Sequence, residues 1–435
     1  MPAEALAGKK VLILGGGFLH KQLAEAARKM GVITYVTDPD DAAHSPAKLI
    51  ADKYYDIDIY DIERIVELCR SEKIDGAIVG YYHAPYEPYI EICRRMGYPC
   101  LATEKQYELF VRKDKFVQMC RACGADTPQG YREEDITADF DAYPIIVKPA
   151  DSRGSKGQSV CYGYDEARKA IAVARESSSC RQTVIEEYLP TKKEMTIECL
   201  IKNGQLCEYL IQDMYYGAEE TGLGRVYKLI TVSERSTGYY KEKVKPQAER
   251  LLRYAGIENG VCTLQGKKGN GTFNFYDASL RCGGGMSAGF IERVHNISIP
   301  QILISFALTG KMEFDTGKPL YEFGSKIMVV WYITLKPGKI CKITGPDKIR
   351  SHRSFVAYEE RMWPGDVVEA TGDVRQIFGA FVFAFDNERE LKEFWEKEPL
   401  DIRVLDENGR NMVVDDTDRC RRIIKYRESE LSERL

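Results

Sequence analysis

The sequence has no uninterrupted apolar run of membrane-spanning length, and Met1 to Lys10 lacks the apolar core of a secretory leader. A cytoplasmic setting is therefore expected. Neither charge dominates: 62 Lys and Arg stand against 66 Asp and Glu, a formal net charge of −4. That balance gives no electrostatic case for nucleic acid or an anionic membrane surface as a partner. Histidine is sparse at five residues, and the thirteen cysteines run from Cys69 to Cys420 without paired spacing. An odd, scattered set reads as reduced and mostly buried. Cys120-Arg-Ala-Cys123 is a lone C-x-x-C with neither a second pair nor a thioredoxin-like context, so zinc and redox chemistry are not indicated. No Ser-His-Asp or Cys-His signature is recognisable either.

What the sequence does contain is material for several cores. Its 435 residues exceed one ordinary core and predict two to four domains, and 44% hydrophobic with 29% charged residues suits a soluble globular chain. The chain is organised around Tyr143 to Ser159, YPIIVKPADSRGSKGQS. Pro144-Ile-Ile-Val147 reads as an inner strand, Lys148 ends it, and Pro149 breaks the ladder. A cation there calls for an anion. Ser152-Arg153-Gly154-Ser155-Lys156-Gly157 then supplies small residues whose N–H groups can approach a polyphosphate, with hydroxyls and two more cations. It is not a Walker A loop, because the residues after Gly157 look like a second strand rather than a helix.

Upstream, Lys9 to Gly16, a helix over Leu19 to Met30 and a strand over Ile33 to Thr37 make a βαβ start. Gly15-Gly16-Gly17-Phe-Leu-His20 has the first two glycines of a dinucleotide fingerprint, with Asp38 where a ribose-binding acid would sit. His20 occupies the third glycine's place and removes the close helix packing that NAD binding needs. Helices over 61–71 and 85–96, a strand over 76–79 and a short strand at Cys100-Leu101 complete a doubly wound sheet. A helix begins at Lys113-Asp-Lys115-Phe and ends by Gly124 and Pro128. Beyond the central loop come a helix (165–177), a strand leading into Glu186-Glu187-Tyr-Leu189, and a strand pair around Asn203-Gly204. Residues 215–240, rich in Gly, Thr and charge, read as a long loop over a site. A helix (241–255) precedes a hairpin whose second strand runs into Arg281-Cys-Gly-Gly-Gly285. The last third reads as strands and turns with one helix near 388–395, and the charged tail after Asp415 as surface structure.

In this order and spacing the pieces resemble the ATP-grasp superfamily of carboxylate ligases over roughly Lys9 to Gly310. The carbamoyl-phosphate-synthase-like and L-amino-acid-ligase-like members are nearest in pattern. The resemblance implies an α/β and α+β multidomain fold: a Rossmann-like N-terminal domain (1–111), a linker helix with the ATP-grasp small subdomain (112–190), the large subdomain (191–315), and a β-rich C-terminal accessory domain (316–435). It places Lys115 and Lys148 on the phosphates of ATP, closes Ser152, Arg153, Gly154, Ser155, Lys156 and Gly157 over them, sets Glu186, Glu187 and Leu189 along the adenine, and puts Glu194 on the ribose. Gln265, Asp277 and Ser279 fall at the Mg²⁺ positions (Mn²⁺ being an alternative), where the pattern more often carries two acids and an asparagine. Arg281 falls beside the transferring phosphoryl group. Arg225, Gly284, Gly285, Arg293 and His295 are implied on the acceptor side, and two copies of the chain are implied to pair.

The expected activity is ADP-forming ligation, in which a small carboxylate is activated as an acyl phosphate and attacked by an amine. Carboxyphosphate chemistry on bicarbonate is one alternative. A non-catalytic nucleotide-binding regulator, suggested by Gln265, Asp277 and Ser279, is another. Neither substrate is named by the sequence.

Overall fold

The computed structural model describes residues 6–81, 86–151, 156–189, 194–217, 226–232, 237–269, 271–283, 286–315, 319–397, 401–415 and 417–426. Three sheets organise them. The first is parallel, in the order β3-β2-β1-β4, from β1 (Lys10–Leu14), β2 (Ile33–Thr37), β3 (Lys53–Tyr55) and β4 (Gly76–Ile78), with α1 (Phe18–Lys29) and α2 (Ile62–Glu72) as crossovers and α3 (Tyr86–Met96) following the last strand. Its apolar strands are buried on both faces, as parallel sheets require. The expected strand at Cys100-Leu101 does not form. The Leu101 N–H takes the Tyr89 hydroxyl instead of a ladder partner.

Two helices follow, α4 (Glu104–Val111) and α5 (Lys113–Ala122). A reciprocal cap between Thr103 and Gln106 starts the first. The second sheet is small and antiparallel, in the order β5-β8-β6-β7: β5 (Gly130–Tyr131), β6 (Ile145–Pro149), β7 (Ser159–Cys161) and β8 (Thr183–Glu187), covered by α6 (Tyr164–Ser177). It has its own apolar core around Ile145, Val147, Ile171 and Ile185.

The third sheet has eight strands in the order β13-β12-β9-β10-β11-β14-β19-β17. Its first part comprises β9 (Glu194–Lys202), β10 (Gln205–Tyr216), β11 (Tyr227–Val232), a turn α7 (Thr237–Tyr239) that runs through a π-helical segment into α8 (Lys245–Ala255), and β12 (Gly260–Gly269) and β13 (Thr272–Ser279). Thus the stretch read as one long loop contains β11. Helices α9 (Ala288–His295) and α10 (Ile299–Thr309) come next, and α10 lies against the parallel sheet, with Gly76 packed on the Ala307 carbonyl. The remainder comprises β14 (Ile327–Thr334), β15 (Gly338–Lys339), β16 (Lys342–Thr344), α11 (Pro346–Arg350), β17 (Phe355–Glu360), β18 (Val367–Val368), β19 (Ile377–Phe385), α12 (Glu388–Lys397), β20 (Arg403–Leu405) and α13 (Thr417–Tyr426). Of the C-terminal strands, β14, β19 and β17 belong to the large sheet, while β15-β18 and β16-β20 form two small pairs. Residues Leu229–Val232 of β11 pair with Met328–Trp331 of β14, so hydrogen bonding is continuous from the middle of the chain to its last third.

Candidate active site between two sheets

Lys148, on β6, is 5% exposed, and its Nζ donates to Glu186 Oε2 at 2.5 Å. The register sets Ile146 opposite Glu186 and Lys148 opposite Val184, which puts the two side chains one diagonal step apart on a single face. Glu186 Oε1 is buried without a hydrogen-bond partner. Among the described residues the lysine is the ion-pair partner of this buried carboxylate, and the pair fixes its direction.

Facing this pair, strands β9, β12 and β13 present a polar ladder inside a largely apolar sheet. Glu194 is opposite Lys267, Thr196 opposite Gln265, and Glu198 opposite Thr263, while Asp277 and Ser279 oppose Gln265 and Thr263 from the other side. The register slips between Gln265 and Gly266, leaving Tyr276 of β13 without an opposing residue. Such a bulge re-aims its side chain. The Tyr276 ring lies 5.2 Å from Lys148 Nζ and 5.8 Å from Lys267 Nζ, between one ammonium from each sheet. Lys267 also sits 5.5 Å from the Tyr188 ring and donates to the Leu189 carbonyl at 3.4 Å.

Burial pushes the Glu194 carboxyl up, against the pull of Lys267 and hydrogen bonds from Tyr216 and Tyr276. Burial likewise pushes the Lys267 ammonium down; Glu194 opposes that shift and the charge of Lys148 adds to it. Each ammonium has a carboxylate on its own sheet, Lys148 with Glu186 and Lys267 with Glu194. A polyanion reaching both would compete with those carboxylates for the two cations.

The proposed metal residues share the same ladder. Gln265 Nε2 is held by Thr196 Oγ1 at 3.2 Å, and Asp277 Oδ1 accepts from the next backbone N–H, of Ala278, at 3.0 Å. One carboxylate, one amide oxygen and the buried Ser279 hydroxyl form a hard-oxygen set that suits Mg²⁺ when phosphate oxygens complete it. Among the described residues no group of three or more His, Cys, Asp or Glu could hold a metal without such help. Arg281, just beyond β13, uses Nη1 on the Cys282 carbonyl at 2.8 Å and leaves Nε buried without a partner.

Other expected residues lie differently. Lys115 pairs with Glu108 of α4 and keeps 35% side-chain exposure, whereas Lys113 is buried, and its backbone N–H ties the helix start to the Ala150 carbonyl at 2.8 Å. The Glu187 N–H is committed to the Gln129 carbonyl at 2.7 Å. Lys156 is exposed, and Gly157, at φ +72°, packs between Pro149 and Ser177. Arg293 is exposed at the end of α9 and acts electrostatically on Asp386, while the His295 ring meets Phe323 edge-on at 5.5 Å. Ser152, Arg153, Gly154, Ser155, Arg225, Gly284 and Gly285 lie outside the described residues. The glycine turn of the first sheet is filled by the chain itself. Asp38 accepts from the Gly16 N–H at 2.6 Å and from Ser45 at 2.7 Å, and the His20 ring, kept neutral by burial with a pKa near 4, lies under Gly15. A dinucleotide pyrophosphate has no access there.

Lys267 and Tyr276 are site residues that sequence reasoning missed. Lys267 precedes Lys268-Gly-Asn-Gly271, whose turn character hid a strand that continues to Gly269.

A family model described as a ribonucleotide synthetase preATP-grasp domain matches residues 8–85, and one described as the carbamoyl-phosphate synthase L chain, ATP binding domain, matches 113–212. The chain is 27% identical over 197 residues to a formate-dependent phosphoribosylglycinamide formyltransferase of Bacillus velezensis, covering 43% of this chain and 50% of that one. To the protein of the same description from Sulfurisphaera tokodaii it is 28% identical over 216 residues, covering 43% and 49%. It thus spans about half the length of the curated relatives it matches. Among solved structures, L-amino acid ligase from Bacillus licheniformis superposes with a TM-score of 0.74 at 14% identity, covering 92% of this chain and 100% of that one. Phosphoribosylglycinamide synthetase from Anaerococcus prevotii gives 0.69 at 15%, with the same coverage. At these identities the superpositions establish the shared fold.

Proposed function

Because the chain belongs to the ATP-grasp superfamily, we propose that it is an ADP-forming ligase that activates a small carboxylate as an acyl phosphate for attack by an amine. The observation that carries this reading is the paired cation arrangement: Lys148 from the small sheet and Lys267 from the large one converge on Tyr276 beside Asp277. ATP would lie between the sheets. Lys148, oriented by Glu186, and Lys267 would take the phosphates, and Glu194, at the head of β9, the ribose. Gln265, Asp277 and Ser279 would hold Mg²⁺, which offsets phosphate charge when bound. The unpartnered Nε of Arg281 can meet the charge that develops as phosphate passes to the carboxylate. Water exclusion by the two sheets strengthens each of these contacts.

The same reading divides the chain at 111, 190 and 315, with the last division falling inside the continuous large sheet. The test is phosphate release from Mg-ATP against a matrix of formate, bicarbonate, amino acids and amines, with mass spectrometry of each positive well. Release that depends on one acid and one amine is expected. ATP binding without release in any acid-containing well overturns the ligase assignment in favour of a regulator.

A further inference from the structure

Gln265 carries no charge, so the way its amide is turned decides whether it can serve a metal ion at all. Thr196, opposite it on β9, is buried and donates its hydroxyl hydrogen to the Met214 sulfur at 2.9 Å. A thioether accepts and cannot donate, so the Thr196 oxygen keeps its lone pairs for a donor. Gln265 Nε2 donates to that oxygen at 3.2 Å and lies 4.0 Å from the same sulfur. With the amide turned over, its carbonyl would face the sulfur lone pairs and compete for a hydrogen already given. The nitrogen is thereby held on the β9 side. Because β12 lies between β9 and β13, Oε1 is turned toward the side where Asp277 stands opposite.

Charge around this oxygen pair is short of anions. Asp277 is the carboxylate that opposes Gln265. Of the other carboxylates on this face, Glu194 stands opposite Lys267, and Glu198 already accepts from the Tyr209 hydroxyl, the Gln212 amide and the Gly283 N–H. Glu186, on the facing sheet, holds Lys148. A bound triphosphate can carry one divalent ion or two, and each asks for hard, preferably anionic oxygens. A second ion here would meet two ammoniums, Lys267 two residues along the same face and Lys148 across the cleft, with no carboxylate left to receive it. We infer that Thr196 and Met214 are positioning residues that hold Gln265 as a neutral oxygen ligand beside Asp277, and that the site takes one divalent cation per bound nucleotide. Lys267 then supplies the charge that a second ion would bring. This rests on the nucleotide reading of the cleft given above.

The test counts Mn²⁺ against a non-hydrolysable ATP analogue, both retained with the whole chain on ultrafiltration, as free Mn²⁺ is raised. A plateau of one Mn²⁺ per retained nucleotide is expected. Thr196→Val keeps the side-chain shape and removes the hydroxyl. It should raise the half-saturating Mn²⁺ roughly tenfold or more, since losing such an orienting contact costs about 10–100-fold in metal affinity. Nucleotide retained without metal should not change, and Thr196→Ser, which restores the hydroxyl but not the methyl group, should return the parent value. Gln265→Glu puts a second carboxylate opposite Asp277 and should carry the plateau to two. A plateau of two in the parent, a plateau of one in Gln265→Glu, or parent-like half-saturation in Thr196→Val overturns the inference. The parent count reports even if Thr196→Val does not fold. A parent chain that retains no nucleotide refutes the nucleotide reading itself, whereas nucleotide retained with two Mn²⁺ refutes the one-ion site alone.

Discussion

Replacing Lys148 by Met keeps most of the side-chain volume and removes the charge, which isolates what the cation does. Glu186, with 1% side-chain exposure, would lose its ion-pair partner, and its other oxygen already lacks a hydrogen bond. Breaking a buried pair on one side costs about 3–5 kcal/mol. The loss should appear as an earlier transition in urea, assigned to the small sheet by hydrogen exchange in 145–187. Adding Glu186→Gln removes the stranded charge and should return most of that stability. It should not return ATP affinity, because the phosphate partner is still missing. Stability rescued while binding stays lost separates the two roles of one residue. The reasoning is refuted if Lys148→Met is as stable as the parent, or if the double variant binds ATP as the parent does.

Other consequences can be checked alongside. Lys267 is held below the usual lysine range by burial, and phosphate would raise it on binding; ATP affinity should therefore be full below the free lysine's pKa and fall as pH rises through it. Lys267→Arg should abolish that alkaline fall in titration calorimetry. Gln265→Glu adds a second carboxylate opposite Asp277 and should lower the Mg²⁺ concentration giving half-maximal ATP binding. Gly76→Ala would drive a methyl group into the Ala307 carbonyl of α10 and should cost about 1–3 kcal/mol in urea denaturation, without changing ATP affinity.

Lys148 and Glu186 were legible because each ends a short β-branched strand, and a charge at such an end is conspicuous. The ladder from Glu194 to Asp277 was legible only in part, since its meaning depends on register. Nothing local tells that Lys267 faces Glu194 or that Tyr276 is bulged out, because both follow from pairing across three strands. β11 was hidden by the glycine and threonine around it, and only its pairing with β10 and β14 makes it a strand. Helix α10, Ile299–Thr309, is apolar nearly all round, and its burial among other elements leaves no helical periodicity to read.

The continuity of the eight-stranded sheet bears on how such a site can breathe. Because β11 is laced to β14, the strands that carry Lys267 and Asp277 form one plate with β14, β19 and β17. The sheet that carries Lys148 shares no strand with that plate. A relative movement of the two sheets would therefore break no ladder hydrogen bond in either. The Tyr276 ring, 5.2 and 5.8 Å from an ammonium of each sheet, would then be the contact that such a movement makes or breaks.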